Sequence, residues 1–452
     1  MPWNLEDKKM HHKQYNPDAT HMTMGVVVRK SSPVVVTPSE PPAKTTASTI
    51  RLSSFDVALY TIPATVLLMF EQPIPDAAET IKRALSKTLV HYYPIAGRII
   101  AGADGGEVHI HCNGEGVTFI SATADCALKE AMSLDRSPGG RTLLDELAVY
   151  YPAMRCGPTD PLMLMQVTEF SCGGFVVGVT ANHAVGDGAG WAQFLQAVGE
   201  LARGFSAPSV VPVRSDDSLP SRPQPVVSLS QLMTSLDPLQ GLSSLDITVP
   251  STAINRIKAE YASRFDGQTC TSFDAVSAVL WRCRTRAIMS DPETPALFLF
   301  GVNLREYLGA KKGYYGNCAS GQPVVATSGV VANGDIMDLV AMIKQSKEKI
   351  PEQFKKSEGT NLQEPVDQKR QLDHQLRYNM LTVSSWRNLG FDRVDFGSGR
   401  AARVTPYAHD KLPFPTCMMS LPHKGKDGAN IFTAMLKVEH VDTFLKELTR
   451  FT

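Results

Sequence analysis

The 452-residue sequence carries no surplus of either charge: lysine plus arginine total 45, and so do aspartate plus glutamate. Such a balance leaves no electrostatic footprint for nucleic acid or an anionic membrane, and neither is expected as a partner. Cys-x-x-Cys pairs are absent. The eight cysteines (112, 126, 156, 172, 270, 283, 318 and 417) are scattered, which speaks against a zinc ribbon and a thioredoxin-type redox pair. Neither a P-loop nor a complete dinucleotide-binding fingerprint occurs. The lack of a Gly-x-Ser-x-Gly elbow argues against a serine hydrolase. The longest apolar stretch, near Val57–Phe70, is interrupted by Tyr60 and Pro63 and falls short of a membrane span. Met1–Met22 is polar and lacks the apolar core of a secretion signal, so reduced thiols in a cytoplasmic protein are expected.

What is present reads as a soluble globular chain, 43% hydrophobic and 20% charged. Its length favours two domains. Residues 1–22, with His11, His12 and His21, read as a disordered leader or a tag. Gly25–Arg29 is a short strand candidate. Asp76–Val90 has apolar residues at helical spacing. Leu162–Phe170 and Phe175–Ala181 form a hairpin pattern around Ser171–Gly174, and a helix is predicted over Trp191–Arg203. Ser206–Ser228 holds five prolines (208, 212, 220, 223 and 225) and reads as a semi-extended linker. The second half repeats the style of the first. Its helices are predicted at Ser272–Arg286, Asp335–Phe354 and from Val441, and its strands at Leu297–Asn303, near Asn379–Ser384 and at Ile431–Val438. Alternating strands and helices in both halves give an α/β class. The division is 23–205 for the N-terminal domain, 206–228 for the crossover and 229–452 for the C-terminal domain.

Chemistry concentrates at His183-Ala184-Val185-Gly186-Asp187-Gly188, which lies between a strand and a helix. A histidine at a strand end titrates near neutral pH and suits proton abstraction from a hydroxyl or amine. Gly186, Gly188 and Gly190 would let the backbone turn sharply and a ligand come close. On these residues alone two assignments stay open. His183 is a general base oriented by Asp187, or it is a core histidine with Asp187 as N-cap of the following helix.

The wider sequence supplies more. His183-Ala184-Val185-Gly186-Asp187-Gly188 resembles the His-x-x-x-Asp-Gly motif of the plant BAHD acyl-CoA-dependent acyltransferases. Asp395-Phe396-Gly397-Ser398-Gly399, roughly two hundred residues on, is similar to that family's Asp-Phe-Gly-Trp-Gly motif. Further matches are Leu52-Ser53-Ser54-Phe55-Asp56, Tyr93-Pro94-Ile95-Ala96-Gly97-Arg98 and Ser272-Phe273-Asp274-Ala275 through Trp281-Arg282. Others are Asn303-Leu304-Arg305, Gly313-Tyr314-Tyr315-Gly316-Asn317 and Val383-Ser384-Ser385-Trp386. The resemblance implies two similar mixed-sheet α/β domains joined by a crossover loop, with His183 as general base in a channel between them. It implies acyl-CoA as co-substrate, a small alcohol or amine as acceptor, and no metal or other cofactor. It makes Asp187 a structural anchor paired with Arg305, with Asp395, Gly397 and Gly399 supporting the site. An aromatic acyl group, benzoyl or hydroxycinnamoyl, and a monomeric state are expected on the same ground.

Two positions depart from the family pattern. Ser398 replaces the usual tryptophan, either as smaller packing or as a hydroxyl donor to an oxyanion. Asn388 stands where members acting on shikimate or quinate often carry a carboxylate-binding arginine; Arg387 beside it could compensate. A catalytically weak acyl-CoA-binding relative is the alternative that Ser398 raises. Of the remaining candidates, His109-Ile110-His111-Cys112 reads as a strand face rather than a metal site. Lys311-Lys312, and Lys344, Lys347, Lys349 and Lys355-Lys356, read as solvated faces or as contacts for the coenzyme A 3′-phosphate.

Overall fold

The computed structural model describes residues 26–41, 46–57, 59–101, 107–132, 143–152, 155–220, 239–355, 374–407 and 414–452. The leader expected at 1–22 lies outside them. In the first half the strands are β1 (Val28–Lys30), β2 (Val34–Val36), β3 (Thr49–Arg51), β4 (Pro63–Phe70), β5 (Arg98–Ala101), β6 (Val108–His111), β7 (Val117–Ala124), β8 (Met163–Phe170) and β9 (Phe175–Asn182). In the second they are β10 (Leu242–Val249), β11 (Pro295–Asn303), β12 (Ala319–Thr327), β13 (Leu381–Ser385), β14 (Arg403–Tyr407), β15 (Thr416–Ser420) and β16 (Ala429–Lys437). The longer helices are α1 (Ala77–His91), α2 (Gly188–Ala202), α3 (Ser251–Arg264), α4 (Ser272–Ile288), α5 (Ile336–Glu348) and α6 (Val438–Leu448).

Two large sheets carry the fold. One runs β1-β7-β8-β9-β4-β14, with β2 also on β7; the other runs β10-β16-β15-β13-β11-β12. Parallel ladders (β7–β8, β11–β13, β13–β15) sit among antiparallel ones, so both sheets are mixed. β14 comes from the C-terminal half yet pairs with β4, stitching the two halves together. A small sheet, β3-β6-β5, stands apart.

Burial on both faces explains the apolar runs. Leu68, Phe70 and Val177 pack toward α1 and α2. Leu67, Met69 and Val176 face the other way, where they meet Met418 and Phe432 of the second sheet. A strand covered on both sides needs no polar alternation, and β9 is buried along its whole length. The second core lies between its sheet and α3 to α6.

Several boundaries differ from the sequence pattern for identifiable reasons. The helix expected over 335–354 is two helices, α5 and Ile350–Lys355. Pro351 lacks the N–H and would clash with the carbonyl four residues back if α5 continued through it. The strand expected from Asn379 begins at Leu381, because His374–Asn379 is a helical turn. The fully buried Arg284 binds the carbonyls of Tyr378 and Asn379 at the end of that turn. The last helix starts at Val438 rather than Val441. The first strand among the described residues is Val28–Lys30; of the run expected at Gly25–Arg29, Gly25 lies outside those residues. Among the described residues no helix is long and apolar enough to cross a membrane.

Candidate active site

β9 ends at Asn182, and its side chain shapes the turn that follows. Asn182 Nδ2 donates to the Tyr60 carbonyl at 3.0 Å, while its Oδ1 accepts the Ala184 N–H at 2.9 Å. His183 is therefore held at the strand end, half-buried. The helix after it begins at Gly188, three residues earlier than its apolar stripe suggests. Asp187 is its N-cap, accepting the Gly190 N–H at 3.1 Å. None of the three glycines has a left-handed φ; their need is space. A Cβ on Gly190 would lie 1.9 Å from the Tyr315 carbonyl oxygen, one on Gly186 2.4 Å from it, and one on Gly188 2.5 Å from Leu389 Cδ1. What approaches this turn closely is the loop 313–317 and Leu389.

Asp187 also faces Arg305. The two form a double pair, Nη1 to Oδ2 and Nη2 to Oδ1, both at 2.8 Å. Arg305 adds a bond to the Gly316 carbonyl at 2.7 Å, and Asp187 accepts the Cys318 N–H at 3.0 Å. Burial works against the guanidinium charge, but the Asp187 carboxylate more than offsets it, and Arg305 holds its proton more tightly than usual. The carboxylate is thus consumed by a helix cap, an arginine and a loop amide. The same carboxylate caps α2 and pairs with Arg305.

The partner of the imidazole is Asn317. Its Oδ1 lies 3.1 Å from His183 Nδ1. The orientation of this amide is determined by its nitrogen, which donates to Asp56 Oδ1 at 2.8 Å and to the His183 carbonyl at 2.7 Å. Turned over, the amide would set its oxygen against two acceptors. With the oxygen facing His183 and only able to accept, Nδ1 must carry the proton. Nε2 is then left with a free lone pair, the form a proton acceptor needs.

The Asp395–Gly399 motif lies elsewhere. Asp395 Oδ1 accepts the N–H groups of Gly397 (2.7 Å) and Gly399 (2.9 Å), and Oδ2 pairs with Arg203 at 2.8 Å. Burial would raise the Asp395 carboxyl; the Gly397 N–H and Arg203 more than offset that and hold it below its usual range. Arg203 follows the last residue of α2, while His183 precedes the first. A 15-residue helix is about 22 Å long, so Ser398 sits roughly a helix length from His183. Ser398 Oγ is enclosed without a hydrogen-bond partner. It is out of reach of an oxyanion formed at His183.

Asn388 is exposed, in a segment that packs on α2: Gln196 Nε2 donates to the Gly390 carbonyl at 2.9 Å. Beside it Arg387 is half-buried, its Nη1 enclosed without a hydrogen-bond partner, and burial lowers its hold on its proton. His109 and His111 flank the buried Ile110 on β6, and no cluster of three metal-ligating side chains occurs among the described residues. Lys344 is paired with Glu348 at 2.8 Å, and Lys347 is bound to Asp274 over the Phe273 ring. Lys311 reaches Asp216 at 3.3 Å, while Lys312 and Lys349 are exposed. The side chains of Lys355 and Lys356 lie outside the described residues.

Sequence patterning does not reveal the roles of three groups: Asn317, Asp56 and Arg214. Asn317 and Asp56 sit within motifs, but their meeting depends on a contact 261 residues apart in sequence. Arg214 falls in the proline-rich stretch, where composition reports only backbone stiffness.

Comparison with known proteins follows the same outline. The family model described as "Transferase family" matches residues 26–450. The chain is 46% identical over 443 residues to Acyl transferase 15 of Oryza sativa subsp. japonica, covering 94% of this chain and 99% of that one. It is 33% identical to the myricetin 3-O-glucosyl 1,2-rhamnoside 6'-O-caffeoyltransferase of Crocosmia x crocosmiiflora, covering 95% and 100%. The crystal structure of vinorine synthase superposes with a TM-score of 0.70 at 20% identity, over 94% of this chain and 98% of that one.

Proposed function

This chain belongs to the BAHD acyltransferases of the Transferase family, and from that premise we propose that it moves an acyl group from acyl-CoA to a small alcohol or amine, with His183 as general base. The observation that carries the assignment is the Asn317 amide, pinned so that Nδ1 of His183 is the donor and Nε2 the free base. The acceptor O–H or N–H gives its proton to Nε2 as the acceptor attacks the thioester carbonyl. The tetrahedral oxyanion collapses, the C–S bond breaks, and the imidazolium returns the proton to the leaving thiolate, releasing coenzyme A as a thiol. A thioester is already electrophilic, so positioning and deprotonation are the main tasks. Asp187 and Arg305 hold the turn and do not enter the chemistry. Asp395, Gly397 and Gly399 support it from the far end of α2, with Ser398 as packing.

A hydroxycinnamoyl or benzoyl donor is our expectation, supported by the caffeoyl transfer in the name of one relative. The unpaired cysteines suit a reducing compartment, and we place the enzyme in the cytosol as a monomer. The test is a matrix of aliphatic and aromatic acyl-CoAs against alcohols and polyamines, read as free thiol released and product mass. Aromatic donors should turn over, and His183→Ala should lower the rate by ~10²–10⁴. A His183→Ala variant within a few-fold of wild type would overturn the base assignment. If none of the donor and acceptor pairs releases thiol, an acyl-CoA-binding relative is favoured instead.

A further inference from the structure

The segment between the two halves does more than connect them. Where it is described, up to Pro220, it is bound along its length. Glu200 accepts from the Ser209 N–H at 2.8 Å, Val213 N–H donates to the Gly313 carbonyl at 2.9 Å, and Tyr315 N–H donates to the Val213 carbonyl at 3.0 Å. Gly313, with φ at +85°, allows this approach; a Cβ there would lie 2.1 Å from the Val211 carbonyl oxygen. The segment is thus sewn to the same loop that carries Asn317.

From it Arg214 turns inward and is buried. One of its terminal nitrogens lies 3.1 Å from Asp56 Oδ2 and 3.0 Å from the Ala184 carbonyl, next to His183. Asp56 is fully buried. Its Oδ2 also accepts from the Ser53 N–H (2.9 Å) and hydroxyl (2.8 Å), and its Oδ1 accepts from the Asn317 backbone (3.1 Å) and side chain (2.8 Å). Arg214 is the one cation paired with this carboxylate among the described residues.

We propose that Arg214 is a positioning residue for His183, acting through Asp56 and Asn317 to keep the imidazole in its Nδ1–H form; this rests on His183 being the general base. The physical reason is the charge of Asp56. A buried carboxylate that loses its cation is left as an uncompensated charge, and the side chain shifts to relieve it. That shift draws Asp56 Oδ1 away from the Asn317 amide nitrogen, which donates to it at 2.8 Å when Arg214 is in place. The Asn317 amide is then fixed only by the His183 carbonyl, so turning over sets its oxygen against one acceptor instead of two; offering its NH₂ group to Nδ1 costs less, and the Nε2–H tautomer gains. That tautomer has no lone pair where the acceptor's proton must go.

Two substitutions separate charge from hydrogen bonding. Arg214→Gln keeps a donor for the Ala184 carbonyl without the charge; Arg214→Lys keeps the charge without the planar fork. Nitrogen-15 spectra of labelled histidine, with His183→Ala identifying the signal, report the tautomer without any substrate. We expect the Nδ1–H form in wild type and Arg214→Lys, and the Nε2–H form gaining in Arg214→Gln. In kinetics, Arg214→Gln should lose about a hundredfold in kcat with KM little changed, the scale on which a displaced reacting group acts. Arg214→Lys should recover most of that loss. A folded Arg214→Gln with the wild-type tautomer and kcat would overturn the proposal. If Arg214→Gln does not fold, Arg214→Lys decides alone, since an Nε2–H form there would overturn it equally. Should His183→Ala keep its activity, the base assignment fails, while the spectra still decide whether Arg214 governs the tautomer.

Discussion

Arg305 holds both oxygens of Asp187, Nη1 to Oδ2 and Nη2 to Oδ1, each at 2.8 Å. The pair joins the turn after His183 to a residue 118 positions away in sequence, so its loss should be felt as loss of structure. Asp187→Asn leaves the largely buried Arg305 guanidinium without its counter-charge, at a cost of about 3–5 kcal/mol. Thermal denaturation should show a clearly lowered midpoint or poor soluble yield. If the variant melts like wild type yet has no activity, Asp187 takes part in the chemistry.

Ser398→Ala is expected to leave kcat unchanged and stability unchanged or slightly raised. The hydroxyl is enclosed without a partner, and removing such a group relieves a desolvation cost. Its place at the far end of α2 removes it from the reacting atoms. A selective fall in kcat of a hundredfold, the loss expected on removing an oxyanion donor, would refute this.

These two positions also mark what sequence makes legible. His183 and Asp187 stand out because residue type and local pattern, a strand followed by glycines and an amphipathic helix, carry the information within a few residues. The break at Pro351 is equally local, but the apolar period runs through it and masks it. The motif around Ser398 does not encode its distance from His183, which depends on which end of α2 receives Asp395. The Asp56–Asn317–His183 contacts join three distant segments, and no periodicity encodes their meeting. The glycines at 186, 188 and 190 suggest a sharp turn and a ligand's approach; in the fold none has a left-handed φ, and it is Tyr315 and Leu389 that lie against them.

Acceptor choice is expected to exclude shikimate and quinate. Asn388 offers no charge and is exposed, so a bidentate carboxylate grip is missing there. Competition assays with a neutral alcohol should show both acids to be poor acceptors. Efficient acylation that is lost in Arg387→Ala would show that the enclosed Arg387 guanidinium takes the carboxylate instead.

Asp216 should make stability depend on acid pH. Burial pushes its carboxyl up, but Ser218 and Lys311 more than offset that, and it falls from 3.8 to about 2. A group depressed in the folded state stabilises above its unfolded value and loses that contribution as pH falls through the folded value. The difference in melting temperature between wild type and Asp216→Asn should therefore be full above about pH 4 and shrink towards pH 2. A difference independent of pH would mean that the carboxylate's charge is not what ties the crossover segment to Lys311.

Gly190→Ala tests whether the loop 313–317 really governs the imidazole. The added carbon would lie 1.9 Å from the Tyr315 carbonyl oxygen. That neighbour is backbone, so either α2 or the loop must shift. Overpacking of this kind typically costs ~1–3 kcal/mol, and the loop's movement carries Asn317 with it, two residues on. Stability and kcat should fall together, with KM affected less, because the acceptor and donor surfaces are not what the methyl touches. An exposed control such as Gly204→Ala tests only φ strain, since nothing lies within 4 Å of its added carbon; there stability alone should fall. If Gly190→Ala lost stability but kept full kcat, the loop would be a packing element and Asn317 would not depend on its position.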